Sequence, residues 1–600
     1  MKKRNYYAKH KVKNENQIVC SFDTETDGLG GKVLCLSYST PAQTDIFLGD
    51  NCVKEWLNNV FFNYCYPAIH YAHFAQYDWR YILPALIDLH QSCEIVLSIK
   101  LRSETDIFRV EAKKDGKLFV MSDSYALYPH TLKNFAKQFA PDYQKLELDF
   151  SKEVFDCKNP RHVEYAKRDA ESLRQCMLNF SLATKKHFGV NVGQTAAGTS
   201  VKAWQHTLPD DLFIAFSDPG EREDFIRCAY YGGVVFLTDT APYSDCKTFD
   251  INSSYPATML EYPLPWGTPR ECDILQYDYP AIYRCRVKAP DFLQIPIIPA
   301  RNEHGSLRWY SGEFETYCTN IELQFAQLNG YELLEIYDGI IWNEVISPFV
   351  DFISKCRDIR TQHKNTSYEV LAKLKQNSLY GKFGAKRERN TIIFGQENID
   401  PNKHENVTKL HDFCEDVYSA VEYSEDMPCK PEWAVFITAY SRIRLLQAAY
   451  SIGVENVLYG DTDSITVKKN ADLSKLKIGS DYGSFKLEKE WKIFRAIAPK
   501  TYAGIVGCDY VGKAKGVPIK SMAQAQFAEL FNHGLVEVNY NTLPSLLVAL
   551  KKGIRYATPA HRKSSDFQNS LHYYCIGTKC YLKSEHGQDY QPANLESAKA

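Results

Sequence analysis

The sequence predicts a multidomain protein that mixes α/β and α+β parts. Three observations carry that expectation. The chain has 600 residues, too many for one ordinary domain and enough for about four. Short β-prone runs deliver or flank acids at 18–25, 248–251 and 457–467. Between them lie helical stretches over 161–188, 351–384 and 436–450.

Composition narrows the class. The chain is 44% hydrophobic and 24% charged, with 40 Tyr and 32 Phe. That is a globular balance. No run reaches the ~18 apolar residues that a membrane span needs. Met1-Lys2-Lys3-Arg4 is basic, but no apolar segment follows, so no secretory signal is read. The 18 Cys are scattered without a C-x-x-C pair. That disfavours a zinc site or a thioredoxin-like motif and fits core residues in a reducing compartment. A net charge of −2 predicts no polyanion partner. Its distribution does: Lys355 to Arg389 holds ten Lys/Arg against three acids, and Lys551 to Lys583 seven against one. Such surface suits phosphates, although each stretch also reads as a solvated helix face.

In chain order, the run 18–22 reads as a buried strand entering Asp23-Thr24-Glu25-Thr26, where Asp23 and Glu25 share a face. A turn at 28–31 and a second strand at 33–37 follow. Residues 68–73 form another strand, and Asp78 stands where an apolar helix begins, a place that also suits a helix cap. The helix over 161–188 puts Tyr165 and Asp169 four apart, on one face. Taken together, Asp23, Glu25, Asp78, Asp169 and Tyr165 form the constellation of a two-metal 3′–5′ exonuclease, in which metals activate water and stabilise in-line displacement. Thr131-Leu132 and Lys145 are candidates for holding single-stranded DNA and a phosphate. A capped helix start and an amphipathic strand explain them equally well.

A break near 190–200 carries scattered Gly and Pro. Next come Tyr230-Tyr231-Gly232-Gly233, where glycines permit close backbone approach or mark a bulge. A strand then delivers Asp250, and a turn places Tyr255 nearby. Residues 266–350 show no catalytic pattern. In 351–384, Lys373, Asn377, Tyr380 and Gly381 fall on one face of one predicted helix, suited to a triphosphate and a base. Residues 385–430 are polar and read as an insertion. A second strong helix from Phe436 to Tyr450 leads into Tyr459-Gly460-Asp461-Thr462-Asp463-Ser464, a hairpin with acids at its tip. As a turn that tip is ordinary. As a pair of hard oxygen donors it suits Mg²⁺.

The order of these motifs resembles family B DNA polymerases, and within them the protein-primed group of phages, viruses and linear plasmids. The resemblance implies a ribonuclease H-like 3′–5′ exonuclease domain followed by a right-hand polymerase with two insertions. It divides the chain into exonuclease (1–195), palm (196–265 and 431–535), first and second terminal-protein-region insertions (266–350 and 385–430), fingers (351–384) and thumb (536–600). The implied metal ligands are Asp250 and Asp463 in one site, with Asp461 in support, and Asp23, Glu25 and Asp169 in the other. Each site would take two Mg²⁺, with Mn²⁺ as a substitute. Lys373, Arg360, Asn377, Tyr255 and Tyr380 would bind the incoming nucleotide. DNA would be held by Tyr230, Gly232, Gly233, Thr131, Leu132, Thr438, Arg442, Lys500 and Tyr502, with Ser124 as the rival to Thr131. Glu322 aligns with a terminal-protein contact. Two positions depart from the family pattern: Phe74 replaces an Asn, and Ser441 replaces Gly or Ala.

The resemblance thus implies a monomeric DNA polymerase with proofreading, acting in the host cytoplasm on primer-template DNA and dNTPs. No long domain precedes Asp23, so a terminal protein is expected to act in trans. A primer-independent polymerase, a non-catalytic DNA-binding replication protein and a nuclease remain as other readings.

Overall fold

The computed structural model describes residues 6–11, 18–63, 68–148, 153–410, 416–425, 427–548, 558–563, 573–576 and 578–585. The basic tail 1–4, and 551–557 and 564–572 of the basic C-terminal stretch, lie outside the described residues. The chain forms two compact units. One comprises 1–216, 354–428 and 541–558; the other comprises 217–353, 429–540 and 559–600.

The first unit is built on a ten-stranded sheet. Its strands Ile18–Thr26, Ala68–Ala72 and Lys117–Asp123 run parallel, with Ile18 opposite Ala68 and Ile69 opposite Val120. Their apolar runs are mostly buried, as expected for parallel strands covered on both faces. All three carboxyl ends therefore open at the same edge, the edge where open α/β sheets place ligands. The helix Pro160–Phe188 packs on the strands Ile18–Thr26 and Val33–Ser39. Asn159 caps its start and accepts from the Arg161 N–H, Pro160 occupies the first turn, and left-handed Gly189 ends it.

One sequence expectation gains detail here and another changes. The polar stretch 385–430 supplies the strands Glu388–Phe394, His404–Lys409 and Val417–Tyr423, which continue the same sheet through Thr391 opposite Lys100. The single helix expected over 351–384 is broken into Val350–Gln362, Ser367–Asn377 and a 3₁₀ turn at Tyr380–Lys382. Left-handed Asn365 makes the first break. Lys373 and Asn377 share an exposed face, but Tyr380 and Gly381 follow the helix end and are not on that face.

The second unit holds a seven-stranded antiparallel sheet, in the order Val235–Leu237, Val457–Asp461, Ser464–Val467, Tyr243–Ile251, Phe485–Ala498, Thr501–Val506, Asp509–Lys513. The helix Pro431–Ile452 starts five residues before the expected Phe436, with Pro431 at its first position. It is buried on almost every side, which fits an apolar sequence with no polar face. Residues 266–350 include a four-stranded sheet of Arg270–Glu271, Glu332–Ile341, Ala281–Ala289 and Gly312–Thr319. From Tyr283 onward the strand 281–289 alternates: Tyr283, Cys285 and Val287 are buried. Arg284, Arg286 and Lys288 instead pair with acids of the neighbouring strands. Among the described residues no helix is long and apolar enough to cross a membrane.

Candidate active sites

In the first unit, one carboxylate oxygen from each of Asp23, Glu25 and Asp169 lies within 4.8 Å of the others. The parallel sheet brings the first two, and the long helix brings the third. Burial raises the Asp23 carboxyl well above its usual range, and Glu25, Asp78 and Asp169 push it further. Burial, then the charge of Asp169, lifts Glu25 to about 8. Asp169 is also raised by burial, against the pull of Lys145. Its Oδ1 is buried without a hydrogen-bond partner among the described residues, while Oδ2 pairs with the Lys145 ammonium. Lys145 also sits 4.9 Å over the Tyr165 ring. Three crowded carboxylates, one with a buried oxygen that lacks a hydrogen-bond partner among the described residues, suit a hard divalent cation.

Asp78 has a different task. It does not cap the following helix; its Oδ1 accepts from the Thr24 N–H at 3.0 Å and the Thr24 hydroxyl at 2.8 Å. It therefore ties the residue between Asp23 and Glu25 in place. Burial raises its own carboxyl to about 7.

The candidate DNA ligands divide. Thr131 caps the helix Leu132–Phe139, accepting from the Asn134 N–H. With Leu132 it also lines a cleft of about 990 Å³ shared with Lys145 and Tyr165. The rival Ser124 is buried, with its hydroxyl on His73 Nδ1 at 2.8 Å and donating to the Ala72 carbonyl at 3.0 Å. Sequence reasoning missed the neighbouring aromatic pair. Phe74 is 56% exposed in a left-handed backbone (φ 60°), and its ring meets Tyr125 edge-on at 5.1 Å. Asp123 Oδ1 accepts from the backbone N–H of both. The one sequence signal was Phe74 itself, an aromatic where the family pattern has Asn.

Crowding has a consequence for stability. The folded protein keeps Glu25 and Asp78 protonated at pH values where the unfolded chain has released those protons. Their contribution is therefore full below the ordinary carboxylate range and is lost as pH climbs through about 7 to 8. Thermal unfolding with EDTA should show a falling melting temperature over that window. Mg²⁺ should reverse the fall and release protons on binding, which calorimetry in buffers of different ionisation enthalpy measures. A flat pH profile with EDTA would contradict this.

In the second unit, Asp250 on strand Tyr243–Ile251 is in register with Ser464. The next residue, Ile251, donates its N–H to the Asp463 carbonyl at 2.7 Å. Asp250 and Asp463 are thus brought side by side by backbone pairing. The turn between them and Asp461 is held by left-handed Thr462 (φ 64°), whose N–H donates to the Val234 carbonyl at 2.8 Å. Asp461 and Asp463 differ in surroundings. Asp461 receives the Lys500 ammonium at 2.8 Å on Oδ1 and that of Lys513 at 3.6 Å on Oδ2. The Asp463 carboxyl is raised by burial, then by Asp461 and Glu488. Asp461 is thereby neutralised within the protein, and Asp463 is the carboxylate that gains from a cation. Lys513 and Glu488 were not singled out from the sequence, where they fit no motif.

Around this centre, the Tyr502 ring packs with Tyr459, Trp491 and Phe494. Lys500, expected on a DNA backbone, instead directs its ammonium at Asp461, and its N–H bonds the Tyr459 hydroxyl. Tyr255 lies on the helix Ser254–Glu261, whose Ser254 hydroxyl meets that of Ser441 at 2.8 Å. Ser441, the departure noted above, is thus occupied in joining two helices. Gly233 packs against the hairpin tip: a Cβ there would lie 2.7 Å from the Thr462 side chain.

Three expected contacts are corrected by burial. Thr438 is 1% exposed and donates to the carbonyls of Ala434 and Val435 in its own helix. Arg442 is 1% exposed and Glu322 fully buried, and they form an ion pair at 2.6 Å. None of the three can reach a phosphate or a protein partner from where it stands. Lys373, Asn377, Tyr380 and Arg360 belong to the first unit.

The chain thus carries an acidic centre in each unit, one at the edge of a parallel sheet and one on an antiparallel sheet. The family model for organellar and viral type B DNA polymerases matches residues 156–432. The DNA polymerase of Bacillus phage Nf is 28% identical over 372 residues, covering 58% of this chain and 60% of that protein. A probable DNA polymerase of Neurospora intermedia is 26% identical over 418 residues, covering 62% of this chain and 41% of that protein. The matched region thus spans about 60% of the length of the phage relative. Residues 156–432 are thus similar to the type B DNA polymerases. The fold resembles that of phi29 DNA polymerase. The structure of that enzyme with primer-template DNA and incoming nucleotides superposes with a TM-score of 0.72 at 19% identity, over 92% of this chain and all of that one.

Proposed function

We propose that this chain is a DNA-directed DNA polymerase with 3′–5′ proofreading that replicates a linear genome from a terminal protein. The observation that carries the reading is the presence of both acidic centres within a phi29-type fold.

For extension, Asp250 and Asp463 would hold Mg²⁺. Bound there, the cations would supply Lewis-acid stabilisation of the entering and leaving oxygens in an in-line displacement. The chain's own contribution is placement. Backbone pairing fixes both carboxylates, and Lys500 and Lys513 remove the charge of Asp461 that would otherwise compete. Tyr255 would sit under the sugar and exclude a 2′-hydroxyl. The nucleotide roles of Lys373, Arg360, Asn377 and Tyr380, and the DNA roles of Tyr230, Gly232, Gly233 and Tyr502, rest on the family resemblance. For trimming, Asp23, Glu25 and Asp169 would hold the metal. Lys145 steadies Asp169 and offers a cation to the scissile phosphate, and Tyr165 orients water. Thr131 and Leu132 would line the path of the strand.

Terminal-protein priming rests on the family resemblance of the sequence motifs alone. Replication of a linear template tests it: products should carry protein covalently attached at the 5′ end. Protein-free 5′ ends would favour a primer-independent enzyme.

A further inference from the structure

The loop at 230–234 is held by contacts on both of its sides. Three successive carbonyls are each taken by a guanidinium. Tyr230 O accepts from Arg301 Nη2 at 2.7 Å. Tyr231 O and Gly232 O both accept from Arg442 Nη1, at 2.9 and 2.8 Å. The remaining nitrogens of Arg442, Nε and Nη2, donate to Glu322 Oε1 at 3.2 and 2.6 Å. Glu322 is itself immobilised. Its Oε2 accepts from the Thr319 N–H at 3.1 Å and the Thr319 hydroxyl at 2.8 Å, closing a capping box at the start of the helix Asn320–Leu328. The far side of the loop meets the acidic turn directly. Val234 O accepts from the Thr462 N–H, and Gly233 leaves no space for a side chain against Thr462.

A continuous set of contacts, buried at the Glu322–Arg442 end, therefore runs from Glu322 through Arg442 and the loop backbone to Thr462, the residue between Asp461 and Asp463. A buried charge pair of this kind is weak evidence for stability; its best-attested use is to fix one arrangement among several. We propose that Glu322 and Arg442 are positioning residues for extension. Both side chains are buried, Arg442 at 1% exposure and Glu322 at 0%. Together they set the 230–234 loop against the 461–463 turn, and so set where Asp463 stands relative to Asp250. This rests on the polymerase reading of that centre.

The test is Glu322→Gln in the full chain, which keeps the shape and removes the charge that orients Arg442. Displacing a reacting group by about 1 Å costs on the order of 10²-fold in rate. Extension of a matched primer should fall ~10- to 10²-fold. The Mg²⁺ concentration for half-maximal extension should rise, because misplaced carboxylates hold the cation less well. Degradation of single-stranded DNA, whose acids lie in the first unit, should be unchanged. Arg442→Lys should behave alike, since one ammonium cannot serve two carbonyls and a carboxylate together. Extension and Mg²⁺ dependence like wild type in Glu322→Gln would overturn the proposal. If Glu322→Gln also loses degradation it has failed to fold, and Gly233→Ala decides instead. That change pushes the loop from Thr462 without touching the pair. It should reproduce the loss and the raised Mg²⁺ demand, and wild-type behaviour there would overturn the proposal. No extension by the unmodified protein would count against the polymerase reading, not against the positioning role.

Discussion

Asp463→Asn is expected to lower primer extension by about 10³-fold, the order lost when a preorganised group acting on transition-state charge is removed (~10²–10³). The substitution isolates the carboxylate. The backbone bonds that shape the turn, Ile251 N–H to the 463 carbonyl and 463 N–H to the Asp461 carbonyl, do not involve the side chain. Burial and the neighbouring Asp461 and Glu488 already make the charged form costly, so the amide should fold at least as stably. Asp461→Asn provides the contrast. Its carboxylate serves Lys500 and Lys513, so its removal frees two cations beside the site and should lower extension by a smaller factor. Steady-state extension of a primed template, with single-strand degradation measured in parallel, checks both. Equal losses in the two variants would contradict the division of labour between the two acids.

Asp23→Ala should abolish degradation to a similar degree while leaving extension of a matched primer intact. The structural reason also predicts an unusual stability effect. Asp23 is crowded by Glu25, Asp78 and Asp169, and every one of them raises its carboxyl. Removing it relieves that repulsion, so in EDTA near neutral pH the variant should melt at a higher temperature than the natural chain. Activity and stability would then move in opposite directions, as they do where a site is strained for function. A variant that melts lower in EDTA, or that still degrades single-stranded DNA, would contradict the assignment.

The acids were legible in the sequence because strand and helix periods fix which of them share a face. Asp23 with Glu25, and Tyr165 with Asp169, needed only spacing two and four. Asp250 and Asp463 are some two hundred residues apart, and the family order of motifs, not local pattern, joined them. What sequence could not supply was burial. Arg442 and Thr438 match a primer-template motif, and Glu322 matches an acidic surface position. Yet a charged residue can be fully buried when its partner is, and that partner lay 120 residues away. Thr131 and Ser124 could not be ranked for the same reason. One is an exposed cap and the other a buried hydroxyl, and both sequences suit either. The helix break at Asn365 was missed because the basic, apolar spacing continues across it. The polar stretch 385–430 lacked a long hydrophobic run, and its strands became readable only through pairing with Val96–Ser103.

The most direct measurement is the fate of a primer with a single 3′-terminal mismatch on a longer template, incubated with dNTPs and Mg²⁺. The natural chain should first shorten the primer past the mismatch and then extend it to full length. Asp23→Ala should stall at the mismatch yet extend a matched primer. Asp463→Asn should shorten both primers and extend neither. An unmodified chain that neither trims nor extends, or variants that lose both activities together, would contradict an account that places the two reactions on two separate acidic centres.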